Sequence, residues 1–212
     1  MSSDLIYLDY NASTPVRPQV NEIVQRTLAL GGNPSSVHRF GRLARGVVDK
    51  ARDAVATLVS TDPSSIIFTS GGTEANAVGI HSLVANGVER LIILATEHDS
   101  VLAAAYNSGV KVVELPVLSS GCVDLEILEK VLSDGSRAGV AIHLANNETG
   151  VIQPIREVAN YVHAKGGFLH CDAAQGLGRI EVDLKQLGAD TFSFSAHKIG
   201  GPQGVGAIIA NN

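Results

Sequence analysis

Lys198 stands in the segment SFSAHKIGGPQGVG, residues 193–206, between hydroxyl and imidazole side chains and a glycine-rich turn. A protonated lysine is a poor nucleophile. Set between an apolar strand and a tight turn, it loses solvent, its proton affinity falls, and it becomes competent to form a Schiff base. Most lysines are instead solvated surface charges, and Lys198 taken alone fits that reading. Asp172, which closes the apolar run GFLHCD upstream of it, changes the balance. A pyridoxal phosphate enzyme needs a reactive amine and a carboxylate placed as a pair.

Other strand ends carry ligand-competent groups. The run SIIFT leads into SGGTEAN, residues 70–76, where two glycines, Gly71 and Gly72, precede Thr73 and a helix begins at once. Outward-pointing amides, a positive helix end and the Thr73 hydroxyl together make an anion site suited to phosphate. A plain helix start with Thr73 as its cap fits equally well, and no Gly-Lys-Ser/Thr follows as a nucleotide-binding P-loop would require. RLIILA leads into TEHDS and places His98 at the same edge. An imidazole there could stack on a flat ligand or move protons, and it could also be an ordinary loop histidine. GVAIHLA leads into NNETG, where Asn147 suits a phenolic or carboxylate oxygen and is also ordinary turn chemistry. Each bland reading weakens once four strand ends all present such groups.

The elements that must position these residues are visible as short apolar runs. SIIFT (65–69), RLIILA (90–95), VKVVELP (110–116), GVAIHLA (139–145), GFLHCD (167–172), DTFSFS (190–195) and GVGAIIA (204–210) read as buried strands. Helical periodicity marks 18–30, 39–58, 74–85, 125–132 and 155–164. The alternation predicts an α/β fold with a mostly parallel sheet covered by helices on both faces, and ligands at the strand carboxyl ends. There is no internal repeat, low-complexity tract or long linker, so residues 1–212 read as one domain.

With 212 residues and 45% hydrophobic content the chain can build one sizeable core. A net charge of −5 with scattered basic residues offers no footprint for nucleic acid. No apolar stretch reaches the ~18 residues of a membrane span, and MSSDLIYLDY lacks the basic start of a leader, so a cytoplasmic location is expected. Cys122 and Cys171 are too few for a disulfide framework or a metal site. Strand alternation turns the Cys171 thiol away from the Asp172 side, and Cys122 reads as a loop residue in SSGCVD.

In order and spacing, SGGTEAN, TEHDSVL, NNETG, HCDAAQG and SFSAHKIGGPQGVG resemble the class V aminotransferase superfamily, specifically the bacterial NifS and IscS type of cysteine desulfurase. The likeness runs from YLDYNASTPV to the final strand, and TEHDSVL is more similar to the NifS and IscS branch than to the SufS branch. It implies the large domain of a fold type I pyridoxal-phosphate-dependent transferase. By the same resemblance Lys198 is the Schiff-base lysine, Asp172 the partner of the pyridine nitrogen, Gln175 that of the phenolic oxygen, and His98 the stacking imidazole and proton carrier. Gly72, Thr73, Ser195 and His197 would hold the phosphate, and Asn147 would lie near the ring oxygen and substrate carboxylate. His38 and Arg39, in NPSSVHRFGRLAR, fall in a site-lining segment of the family, but a helix-start role explains that segment equally well.

The resemblance also implies a reaction. L-cysteine displaces Lys198 from the cofactor, Lys198 or His98 takes the Cα proton, and a cysteine thiolate attacks the substrate sulfur to leave L-alanine and an enzyme persulfide. In the family that thiolate, an arginine for the substrate carboxylate and the small C-terminal domain lie beyond the region matched. The expectation is therefore a cofactor-binding portion, incomplete at its C-terminus, with apolar surfaces exposed. Implied partners are L-cysteine, a second copy in a homodimer, a sulfur acceptor or iron-sulfur scaffold protein, and the missing C-terminal half. A PLP-holding or scaffold subunit without turnover, or another class V lyase or aminotransferase, stays open because fold and cofactor do not fix the reaction.

Overall fold

The computed structural model describes residues 6–210; residues 1–5, the start of the N-terminal stretch read above, and 211–212, the end of the 1–212 unit, lie outside the described residues. Seven strands form one sheet: β1 (Ile66–Thr69), β2 (Arg90–Leu94), β3 (Lys111–Leu115), β4 (Ala138–His143), β5 (Phe168–Asp172), β6 (Thr191–Ser195) and β7 (Gly206–Ala210), in the order β1-β7-β6-β5-β4-β2-β3. Pairing is parallel from β6 through β5, β4 and β2 to β3, while β7 runs antiparallel to both β6 and β1. Every strand except β7 therefore ends at the same edge.

Alternation along the strands divides the core in two. Ile92 and Leu94 of β2 and Leu169 and Cys171 of β5 pack with Leu128 and Leu132 of α5 (Leu125–Leu132) and Val158 and Val162 of α6 (Ile155–Ala164). Leu91 and Ile93 pack on the opposite face with Ile80 and Leu83 of α3 (Gly72–Ala85) and Val101 and Ala105 of α4 (Asp99–Tyr106). Each fully buried Leu or Ile contributes about 1.5–3 kcal/mol, so the two-sided burial expected from the near-continuous apolar strands anchors the sheet.

Helices α1 (Pro18–Leu30) and α2 (Arg39–Leu58) precede this core. α1 buries no residue, and Ile23, Leu28, Phe40 and Leu43 are exposed. His38 accepts from the Gly41 amide as the α2 cap, the helix-start role that the sequence allowed. Two helices lie outside the expected set. α4 is only eight residues long and small-residue-rich, and is held by Val101, Ala104 and Ala105 against α3 rather than by a strong periodic signal. α7 (Leu184–Leu187) is a single turn capped by Asp183 and closed by Gly188 at φ 75°. α3 starts at Gly72 rather than at 74. Among the described residues no helix is long and apolar enough to cross a membrane.

One glycine fixes how the first site turn meets the sheet. Gly206 begins β7 between Thr69 and Ser195, and a Cβ there would lie 2.5 Å from the carbonyl carbon of Gly71. Backbone cannot move aside as a side chain can, so Gly206→Ala is expected to destabilise the fold by ~1–3 kcal/mol. A lower urea midpoint at unchanged m-value would show it, and an unchanged midpoint would refute it.

Candidate active site

The shared carboxyl edge encloses a cavity of about 220 Å³, and the nine residues that the resemblance assigned to cofactor binding all line it. The first turn of α3 brings Gly72 and Thr73, the β2–α4 turn His98, and the segments after β4 and β5 bring Asn147 and Gln175. Asp172 ends β5, Ser195 ends β6, and the 3-10 turn Ala196–Lys198 carries His197 and Lys198. Asn76, Ser100 and His143 also line the cavity, and the sequence reading did not single them out.

Where α3 meets the cavity, its cap Gly71 supplies no side-chain hydrogen bond. Glu74 folds back to accept from the Ser70 amide at 2.6 Å and the Ser70 hydroxyl at 2.7 Å, so it does not cover the first amides of the helix. Those amides form a ready anion site. Beside them Gly72 lies close enough to Ser195 that an added Cβ would come 3.2 Å from the Ser195 Cβ. Ser195 Oγ, His197 Nδ1 and Gln175 Oε1 are buried with no hydrogen-bond partner. Burial, then the Lys198 charge, lowers the proton affinity of His197.

Asp172 is 7% exposed and held by two donors: the Ala174 amide at 3.0 Å on Oδ1 and Asn76 Nδ2 at 2.8 Å on Oδ2. A carboxylate only accepts, which fixes the Asn76 amide with its nitrogen toward Asp172. Asn76 Nδ2 also donates to Ser100 Oγ at 2.8 Å, while its Oδ1 accepts from His170 Nε2 at 3.0 Å and from the Ser193 hydroxyl. His170 Nδ1 then accepts from the Thr191 hydroxyl at 2.8 Å. A fully satisfied polar column thus runs behind the cavity and sets the direction of Asp172.

Complete burial pushes His170 down to about 4 against the opposing Asp172 charge. In the unfolded chain a histidine takes its proton near 6.5, whereas folded His170 stays neutral until about 4. Its contribution is therefore complete above pH 6.5 and lost as pH falls toward about 4, by roughly 3 kcal/mol. Unfolding free energies measured across that window should fall steeply for the wild type and less steeply for His170→Gln. Equal slopes would refute the assignment.

His98 caps α4: its Nδ1 accepts from the Ser100 amide at 3.1 Å and lies 2.7 Å from Ser100 Oγ. With Nδ1 engaged as acceptor, the neutral ring carries its proton on Nε2. On the neighbouring wall Glu97, fully enclosed, accepts from the His143 amide and from His143 Nδ1 at 2.9 and 2.8 Å, and burial raises the proton affinity of its carboxyl. Lys198 Nζ donates to the backbone oxygens of Asn11 and Ala12 at 2.7 and 3.1 Å. Gln175 Nε2 donates to the same Asn11 oxygen at 2.9 Å, and Asn11 Nδ2 reaches the Asn147 oxygen at 2.9 Å. Burial first, and the Arg179 charge second, lower the proton affinity of Lys198.

This donor set fits pyridoxal phosphate. An amine of lowered proton affinity faces a cavity that also presents a fixed carboxylate, uncapped helix amides and the unpartnered atoms of Ser195, His197 and Gln175. An orphaned buried polar atom costs ~1–3 kcal/mol, which a bound anion and ring oxygen would relieve. His38 and Arg39 do not line the cavity. Cys171 is fully buried in the core cluster of the opposite face, half-buried Cys122 lies beside Ile152, and neither lines the cavity. Among the described residues no group of three metal-ligating side chains occurs.

Residues 6–212 match the family model described as aminotransferase class-V. Cysteine desulfurase IscS of Rickettsia massiliae is 39% identical over 211 residues, covering 96% of this chain and 51% of the relative. Among solved structures, a NifS-like protein from Rickettsia africae superposes with a TM-score of 0.88 at 37% identity, over 97% of this chain and 58% of that one. SspA, solved in complex with cysteine, superposes with a TM-score of 0.91 at 31% identity, over 97% of this chain and 61% of that one. The chain spans about half the length of the curated relatives it matches.

Proposed function

The chain belongs to the class-V aminotransferase family, and from that premise we propose that residues 1–212 are the cofactor-holding large domain of a pyridoxal-phosphate-dependent cysteine desulfurase of the NifS and IscS type. The observation that carries the proposal is the convergence of Lys198, Asp172 and the unpartnered Ser195, His197 and Gln175 atoms on one cavity. When bound, the cofactor supplies a carbonyl that condenses with amines and a ring that withdraws the electron pair released at a substrate Cα.

Each residue then has a task set by its surroundings. Lys198 would hold the cofactor through its amine, and its Nζ, when free, would be placed to accept a substrate Cα proton. Asp172, immobilised by Asn76 and Ala174, would favour a proton on the ring nitrogen. Gly72, Thr73, Ser195 and His197 would hold the phosphate, Gln175 the phenolic oxygen, and Asn147 would lie near the ring oxygen and substrate carboxylate. His98 lines the same cavity and would present an Nε2 proton toward a bound ring, because Ser100 occupies its Nδ1.

The substrate in this reading is L-cysteine, whose sulfur passes to an enzyme thiolate as a persulfide while L-alanine leaves. Neither Cys122 nor Cys171 is assigned as that carrier. The resemblance to NifS and IscS further supports a cytoplasmic homodimer delivering sulfur to an acceptor or iron-sulfur scaffold protein. The test is spectroscopic: L-cysteine added to the cofactor-loaded chain should change its visible absorption beyond any change seen with free cofactor, and L-serine should not. No response to L-cysteine would sink the substrate assignment.

A further inference from the structure

The segment between Tyr10 and Arg17 has no strand or helix of its own, yet it is tied across the Lys198 turn at several points. The Thr14 amide donates to the His197 oxygen and the Arg17 amide to the Gly200 oxygen, at 2.8 and 2.9 Å. The Thr14 hydroxyl donates to the Lys198 oxygen at 2.8 Å. Near its start, Asn11 presents its carbonyl to Lys198 Nζ and Gln175 Nε2 at once. The orientation of that carbonyl is set from outside the cavity. Arg179 donates through Nη1 to the Asn11 side-chain oxygen and through Nη2 to the Tyr10 oxygen at 2.7 Å, and Nη2 also lies 3.3 Å from the Lys198 oxygen.

We propose that Arg179 is a positioning residue for Lys198, its guanidinium fork binding the Tyr10–Asn11 backbone as a strap whose carbonyls steer the lysine amine. The inference rests on the reading of Lys198 as the cofactor amine and adds to it a residue outside the cavity. A planar fork holds a side-chain oxygen and two backbone oxygens of different segments in fixed directions, which a single ammonium on a flexible stem does not reproduce. The same cation stands near Lys198 and opposes its protonation, second only to burial, while Asp172 and Asp9 favour it. His197 is a further titratable neighbour, whose own proton affinity is lowered in part by Lys198, and His98 and His143 line the same cavity. Arg179 thus acts on Lys198 in two separable ways, through the strap and through charge.

The separation sets the experiment, run on the full chain without cofactor. The rate at which a small acetylating reagent modifies Lys198 is followed by peptide mass spectrometry from neutral to alkaline pH, beside amide hydrogen exchange of residues 10–14. Arg179→Ala should move the midpoint of the rate profile to higher pH, slowing modification near neutrality roughly threefold to fivefold, and should expose the strap amides. Arg179→Lys keeps the charge but not the fork, so its midpoint should stay with the wild type while strap protection is lost. An unmoved midpoint in Arg179→Ala, an equal move in Arg179→Lys, or strap protection retained in both overturns the proposal. Reductive labelling with pyridoxal phosphate, run in parallel, tests the cofactor reading separately: a label away from Lys198 would undo that reading and leave the strap result standing.

Discussion

Treated with pyridoxal phosphate and then borohydride, the wild-type chain will carry a stable pyridoxyl label on Lys198, and Lys198→Ala will fall to the background of surface lysines. The expectation follows from a contrast within the chain. Lys50, Lys111, Lys130, Lys165 and Lys185 are exposed, whereas Lys198 is half-buried, with burial and Arg179 holding its proton affinity down. More of its amine is therefore free at neutral pH. It also faces the cavity whose Ser195 and His197 atoms lack partners, so a phosphate held there raises the local carbonyl concentration beside Nζ. Peptide mapping reads the result directly. Comparable labelling of an exposed lysine, or an undiminished total label in Lys198→Ala, would overturn the assignment.

Why Lys198 could be found in the sequence at all has a physical basis. Each residue singled out sits where an apolar strand gives way to a glycine-bearing or polar turn, and in a parallel sheet such turns share one edge. The strands themselves were legible because burial on both faces demands runs such as RLIIL in β2. The reversal of β7 was not legible: GAIIA has the composition of its parallel neighbours, and its direction depends on the short path from β6 through the Lys198 turn. α4 escaped because DSVLAAAY is short and its cap is a histidine.

The column behind the cavity escaped for a different reason. Asn76 lies within α3, and His170, Thr191 and Ser193 lie within strands, where a polar residue carries no turn signal. A signal did exist in the alternation. In β5, Leu169 and Cys171 join one apolar core cluster while His170 and Asp172 belong to the polar column, and a polar side chain at every second position of a buried strand requires partners. The strap across Lys198 had no comparable sign, since its main links are backbone carbonyls whose positions no residue type announces.

That column makes Asp172→Asn the variant with the second large effect, and the effect should divide. Asp172 receives donors on both oxygens, from Asn76 and Ala174. Asn76 cannot turn to compensate, because its own oxygen already takes the His170 and Ser193 protons. An amide at position 172 therefore leaves one donor facing a donor in either orientation, and the cofactor-free chain should lose ~1–3 kcal/mol in urea unfolding. Lys198 is retained, and losing the Asp172 charge removes one influence that favours its protonation, so pyridoxyl labelling should persist. What disappears is the negative charge that favours a proton on the ring nitrogen. With ¹⁵N in the cofactor ring, that nitrogen should read as protonated in the wild type and unprotonated in Asp172→Asn. Where exchange of a substrate Cα proton can be followed, it should slow by at least about a hundredfold, the scale of losing one preorganised electrostatic partner. A ring nitrogen that stays protonated in the variant would move the electronic role from Asp172 to another group. Retained stability with loss of the ring proton would instead leave the role intact and show that the Asn76 amide is free to turn, against the lock that His170 and Ser193 impose.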